Sequence, residues 1–187
     1  MTKHLRLVAP ALAALLAACD GEGTPTEPGQ GGSRTFSAQV TGDLESMLKG
    51  EALFGAVEDP EHGPVFAIEM SETEGGGVIQ LVRLGGETPG PGNYPVADGL
   101  HGSPKTGEFI ALLFDSENGE PTALFVARSG SVKVTGAGAT LKGSFNLEAE
   151  GGLFSDPEQT LTIRVAGTFT AEPGTAAVIP VSSRLGT

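Results

Sequence analysis

Few residues in this chain of 187 have types and spacings suited to chemistry. Cys19 is the only thiol, so the chain cannot close a disulfide on itself. Beyond the first 18 residues there are two histidines, His62 in Glu58-Asp-Pro-Glu-His-Gly-Pro64 and His101 in Asp98-Gly-Leu-His-Gly-Ser-Pro104. Both lie in turn sequences, and neither has the closely spaced second histidine that places two imidazoles on one zinc. A serine nucleophile needs a constrained elbow and a buried histidine. No Gly-x-Ser-x-Gly occurs, and Ser103 and Ser129 read as turn serines. Glu69, Glu72 and Glu74 crowd one strand end, where paired carboxylates could in principle serve glycoside hydrolysis. With no Trp and one Tyr, however, the chain lacks platforms for stacking sugars, and a solvated strand edge accounts for these acids. Calcium takes about six to eight oxygens. The best calcium candidates are Asp115, Glu117 and Glu120 in Asp115-Ser-Glu-Asn-Gly-Glu120, with Glu58, Asp59 and Glu61 behind them. The EF-hand pattern is absent, and a polar turn that keeps an apolar hairpin soluble is the simpler reading. No phosphate loop, dinucleotide fingerprint or redox motif is present. The expectation is therefore no catalytic set, no metal and no cofactor.

The elements that must carry these residues are constrained by composition. Eleven basic residues face 23 acidic ones, for a formal charge of −12. Acidity of this kind disfavours nucleic acid and anionic headgroups as partners. There are 29 Gly and 13 Pro, about twice average usage, which points to many turns. Only one long apolar run exists, so a multi-pass membrane protein is excluded.

That run is at the N-terminus. Lys3, His4 and Arg6 precede Leu7-Val-Ala-Pro-Ala-Leu-Ala-Ala-Leu-Leu16, the charged and apolar regions of a secretory signal. It is too short for a spanning helix of about 20 residues. Leu16-Ala17-Ala18-Cys19 resembles the bacterial lipobox, the processing and lipidation site of lipoproteins. The resemblance implies cleavage before Cys19 and a diacylglyceryl thioether on its sulfur. Two or three acyl chains on one residue give a stable anchor where one chain gives a marginal one. Asp20, next to the cysteine, resembles a retention signal for the inner membrane, a rule that varies between lineages. Processing removes Lys3 and Arg6 and leaves 9 basic against 23 acidic residues, a formal charge of −14. The stretch from Asp20 to Arg34 has no apolar residue beyond proline, and seven of its fifteen residues are Gly or Pro. It reads as a tether. The expected organisation is a signal peptide over 1–18, a lipidated cysteine and linker over 19–34, and one β-rich domain over 35–187.

Period-two alternation dominates that domain. Leu141, Gly143, Phe145, Leu147 and Ala149 alternate with Lys142, Ser144, Asn146 and Glu148. Leu161, Ile163, Val165, Gly167, Phe169 and Ala171 alternate with Thr160, Thr162, Arg164, Ala166, Thr168 and Thr170. Further strands are expected over 36–40, 51–57, 65–70, 78–84, 109–114, 122–127 and 130–136. Met47-Leu48-Lys49 reads as a short helical turn. Phe109–Phe114 and Ala123–Val126 are apolar on both faces, which predicts central strands covered on both sides. Asn118-Gly119 between them is a hairpin signal, because a type I′ turn needs positive φ at both central residues. Gly143-Ser-Phe-Asn-Leu-Glu-Ala149 echoes Gly167-Thr-Phe-Thr-Ala-Glu172, as expected of adjacent meander strands. Many short strands with regular turns predict an antiparallel β-sandwich, with a lipocalin-like β-barrel as the alternative.

Gly130-Ser-Val-Lys-Val-Thr, Leu141-Lys-Gly-Ser-Phe-Asn-Leu and Leu161-Thr-Ile-Arg-Val-Ala-Gly-Thr-Phe together form a pattern of Gly-Ser/Thr-Phe strands. With the Pro91-Gly-Asn-Tyr-Pro95 turn, it resembles a pattern of uncharacterised bacterial lipoproteins over residues 90–172. The resemblance implies an envelope β-sandwich and supplies no catalytic residues. The functional expectation is a lipid-anchored, non-catalytic binding or structural module of the bacterial envelope, at its periplasmic or cell-surface face. Its partners are the membrane, through Cys19, and an envelope protein or small ligand; nucleic acid is not expected. Two alternatives stay open. A carrier of a small apolar ligand would have a cavity lined by residues such as Phe109, Leu112, Phe125 and Phe145. A hydrolase would need His62 or His101 buried beside an acid.

Overall fold

The computed structural model describes residues 34–59 and 62–176. Nine strands follow one another: β1 (Thr35–Gly42), β2 (Ser46–Asp59), β3 (Gly63–Glu72), β4 (Val78–Leu84), β5 (Gly92–Pro95), β6 (Phe109–Glu117), β7 (Glu120–Gly136), β8 (Leu141–Leu153) and β9 (Leu161–Pro173). The fold is all-β, with no helix among the described residues. Apart from β5, which pairs only with β7 and leaves β4 to pair with β6, neighbours in sequence are neighbours in the sheet, and β9 returns to pair with β1. The β7–β8 ladder completes the ring. Eight strands thus form a closed antiparallel barrel with up-and-down connections.

This closure does not bear out a sandwich of two packed sheets and agrees with the barrel alternative. The cause lies in β7, whose 17 residues offer two full edges. One edge pairs with β8 from Ala123 to Gly136. The other is shared: Glu120–Val126 pair with β6 and Ser131–Val134 with β5. The short β5 therefore continues the line of β6 along the wall. Sequence alone reads Pro91–Pro95 as a turn, and here Gly92–Pro95 is this extra strand. Met47–Lys49 is also strand, not a helical turn, because Gln39↔Met47 and Ala38↔Leu48 sit in the β1–β2 ladder.

The interior is filled by side chains, as expected for eight strands. Seven of the nine phenylalanines (36, 54, 66, 109, 125, 145 and 169) belong to one core with Ile68, Met70, Leu81, Leu147 and Ile163. At about 1.5–3 kcal/mol for each buried large apolar side chain, this core is the main source of stability. One end of the barrel is covered by the loop after β4. There Gly86 sits close enough to Pro64 that an added Cβ would lie 3.2 Å from the Pro64 Cβ. Tyr94 packs edge-on against Phe109 at 5.7 Å, lies under the Arg83 guanidinium at 5.7 Å and donates its hydroxyl to the Gly90 carbonyl at 2.8 Å. The opposite end carries the tight β1–β2, β3–β4 and β6–β7 turns. In the last of these, Asn118 and Gly119 hold φ of 53° and 83°, the positive values the dipeptide predicts.

Candidate functional site

The barrel end at the tight turns is not filled. A cavity of about 180 Å³ opens there, with an apolar lining. Alternation explains the lining, since Val40, Leu113, Phe125 and Ile163 are inward residues at the ends of β1, β6, β7 and β9. Leu44, Leu48 and Leu153 form the rim, where Ser46, Glu72 and Asp115 add polar groups.

Local sequence builds this mouth. The β3–β4 turn, Thr73-Glu-Gly-Gly-Gly77, folds back so that the Gly77 N–H donates to Glu72 Oε2 at 3.3 Å. A Cβ on Gly76 would fall 1.7 Å from the Ser116 carbonyl oxygen, so the turn packs backbone-to-backbone against the end of β6. Ser116 donates its hydroxyl to the Gly76 carbonyl at 3.4 Å, and its N–H donates to Asp115 Oδ1 at 2.9 Å. The two acids at the rim are thus partly held by the turns that frame the cavity.

A second concavity, of about 330 Å³, lies outside the barrel between the 97–108 loop and the 153–160 loop. Arg128 is its centre. The β7–β8 register shifts between Ala127 and Ser129, which leaves Arg128 as the extra residue of a β-bulge. Bulges re-aim a side chain, and this one carries the guanidinium to two acids. Arg128 Nε donates to Asp98 Oδ2 at 2.9 Å, and its Nη1 donates to Glu150. The other Asp98 oxygen accepts the backbone N–H groups of Leu100 and His101 at 2.9 and 3.1 Å. Desolvation pushes the Asp98 carboxyl up, but the Arg128 bond, the two backbone donors and the guanidinium charge outweigh it and hold the group below its ordinary value. Arg128 is raised in turn, chiefly by its bond to Asp98 and against desolvation. The hydrogen-bonding capacity of this cluster goes into fastening the loop over the outside of the barrel. Gly99 N–H donates to the Ala127 carbonyl at 2.9 Å, and the loop backbone lies flat on Val126.

The residues singled out from sequence are dispersed. His62 Nδ1 is 2.9 Å from Asp59 Oδ1 in a turn, and His101 Nδ1 is 3.7 Å from Asp98 Oδ1. Both imidazoles are exposed, at 47 % and 69 % of the side chain, so neither is buried beside an acid. Ser103 and Ser129 are exposed. Glu69 lies on the outer face of β3 and bonds with Ser71 and Gln80, Glu72 turns to the mouth, and Glu74 is in the turn. Asp115 is at the mouth, while Glu117 and Glu120 face each other across the hairpin turn. Among the described residues, no three His, Cys, Asp or Glu side chains converge on a metal position, so Asp115, Glu117 and Glu120 are not brought together as ligands. Of the four residues expected to line an internal cavity, Phe125 lines the mouth, whereas Phe109 and Phe145 are packed into the filled core. Leu112 is corrected outright: it alternates with the inward Ala111 and Leu113 and faces outward. Cys19, Asp20 and the signal and linker residues up to 33, with Glu61 of the second acidic set, lie outside the described residues.

Sequence reasoning missed the role of Arg128. Its signal was present, because Phe125 and Ala127 are inward, as are Val132 and Val134, an odd step that requires an inserted residue between them. Compared with protein-family models, curated proteins and solved structures, the chain matches none.

Proposed function

We propose that this chain is a lipid-anchored lipoprotein of the bacterial envelope, held through Cys19, whose barrel is a non-catalytic binding module taking a small apolar group at its open mouth. The observation that carries the binding part is the apolar cavity of about 180 Å³ among Leu113, Phe125 and Ile163. Its size decides the ligand class. An apolar cavity of about 150 Å³ stays dry and accepts benzene, whereas drug-sized ligands need roughly 300–1,000 Å³. The mouth therefore suits one aryl ring or the end of an acyl chain, not a whole lipid. The architecture is lipocalin-like in outline, a barrel covered at one end and open at the other, with its capacity reduced by the phenylalanine core. Ser46, Glu72 and Asp115 at the rim favour a ligand whose polar part is neutral or cationic. The anchor is supported by the lipobox resemblance at Leu16–Cys19.

Titration of the methyl-labelled processed chain with toluene tests the binding reading. Saturable shifts of the Leu113 and Ile163 methyls are expected, and Ala123→Phe, which places a ring in the mouth, should abolish them. Unchanged methyl resonances at the solubility limit of toluene would overturn the assignment.

A further inference from the structure

Charge is unevenly spread over the outside of the barrel. The wall made by β7, β8, β9, β1 and the start of β2 carries Arg34, Lys49, Lys133, Lys142 and Arg164, five of the eight basic residues among those described. Of the nineteen described acids it holds Glu51 and Glu148, with Glu150 and Glu172 at its borders. Glu51 lies 3.3 Å from Arg34, Glu148 lies 3.5 Å from Arg164, and Glu150 is bonded to Arg128. The three lysines are exposed and have no ion pair among the described residues. The mouth is the reverse. Its turns, 43–45, 73–77, 118–119 and 154–160, contain acids and no Lys or Arg.

Register lays out the wall. Lys133 is opposite Ser144, Ser144 opposite Thr168, Thr168 opposite Ser37, and Ser37 opposite Lys49. Lys142 is two residues from Ser144, which makes it a diagonal neighbour of Lys133, about 7–8 Å away. The outward side chains between the cations, Ser144, Asn146, Ala166, Thr168 and Thr170, are short and uncharged. A phosphate approaching this wall meets ammonium groups and hydroxyl donors with nothing bulky between them.

The chain also enters the barrel here. Thr35 pairs with Thr170, which pairs with Lys142, and β1 runs from Thr35 toward the mouth, ending at Gly42. Fourteen residues separate Arg34 from Cys19, a reach of at most about 50 Å. A lipid on Cys19 thus ties the bilayer to the basic wall and not to the acidic mouth. Net acidity disfavours anionic headgroups for the chain as a whole. Charges farther away than about 8–10 Å are screened at physiological salt, however, so this wall meets a surface with its own cations.

We propose, building on the Cys19 anchor, that Lys133 and Lys142 lay this wall on the anionic headgroups of the bilayer. The mouth turns then stand clear of the surface, and the mouth takes its ligand from the aqueous side.

The test couples the processed, unacylated chain through Cys19, its only thiol, to a maleimide-bearing lipid in nanodiscs. The discs hold equal parts of phosphatidylglycerol and phosphatidylcholine, with a gadolinium chelate on a few headgroups. This coupling holds the chain at the bilayer whether or not a cell acylates Cys19, so failure of the native anchor and failure of the wall are told apart. Relaxation enhancement of amide protons should be greatest at Lys133, Ser144 and Thr168 and several-fold weaker at Gly119 and Leu112. Lys133→Gln and Lys142→Gln should each lower the preference for this face roughly fivefold. Discs of phosphatidylcholine alone, or high salt, should flatten the pattern as well, and they decide the matter should the variants not fold. Enhancement spread evenly over the barrel, greatest at the mouth turns, or unchanged without phosphatidylglycerol would overturn the docking. So would a dimer of the lipid-free chain formed through this wall, which would make a second copy the occupant.

Discussion

Phe145 and Gly167 face each other across the β8–β9 ladder so closely that a Cβ added to Gly167 would lie 2.6 Å from Phe145 Cζ. The relation is reciprocal, because a Cβ on Gly143 would lie 2.6 Å from Cζ of its own partner, Phe169. Each Gly-Ser/Thr-Phe motif lends its glycine as the seat for the ring of the other, and the rings stack with centroids 6.5 Å apart. The repeat in the sequence is this two-fold exchange. Gly167→Ala and Gly143→Ala are each expected to destabilise the domain by about 1–3 kcal/mol through overpacking. Each change also meets a backbone carbonyl, that of Ser37 at 2.7 Å for Gly167 and that of Lys133 at 2.4 Å for Gly143, so both should lower the midpoint in denaturant titration.

Removing a ring should cost more than crowding one. Phe109 is fully buried, is seated against Tyr94 and closes the covered end of the barrel. Phe109→Ala is expected to lose about 3–5 kcal/mol, seen as a lower midpoint with an unchanged denaturant slope.

The Asp98–Arg128 bond makes a prediction about acid. The folded-state pKa of Asp98 lies below its ordinary 3.8. The unfolded state therefore binds the proton more readily, and the bond contributes its full stability above pH 3.8. That contribution is lost as pH falls from there through the lower folded value. Asp98→Asn should flatten this part of the stability profile and leave the neutral-pH fold intact. The same variant should speed hydrogen exchange at the Gly99 amide, since the loop is then less firmly held.

Much of this was readable in the residues, and what was not has physical causes. Alternation on β8 and β9 and the Asn118-Gly119 turn placed those elements well, because each is specified by local chemistry. Closure was not readable: a sandwich and a barrel share the same inward pattern, and they differ only in whether β7 pairs with β8. The short β5 was hidden because its Gly92 and Pro95 look like turn residues, yet one edge of Gly92–Pro95 pairs with β7. Leu112 and Val126 did announce strands covered on both faces, though not that the outer cover of Val126 is the Gly99 turn and not a second sheet. The mouth cavity was least visible, since Leu44 and Leu48, Leu113, and Leu153 come from three distant parts of the sequence and meet only on closure.

Lipid attachment is tested by Cys19→Ser. The variant should fail to incorporate labelled palmitate and should move from the membrane pellet to the soluble fraction. Its barrel should unfold at the same denaturant midpoint as the processed parent, since Cys19 precedes β1 by 16 positions in the sequence. A variant that stays in the pellet would show that something other than acylation holds the protein there.

The most direct measurement of the binding account is a crystal structure of the processed chain under xenon pressure. The account predicts a xenon atom at the barrel mouth, among Leu113, Phe125 and Ile163. A mouth found packed shut by its own side chains, with no xenon there, would contradict it.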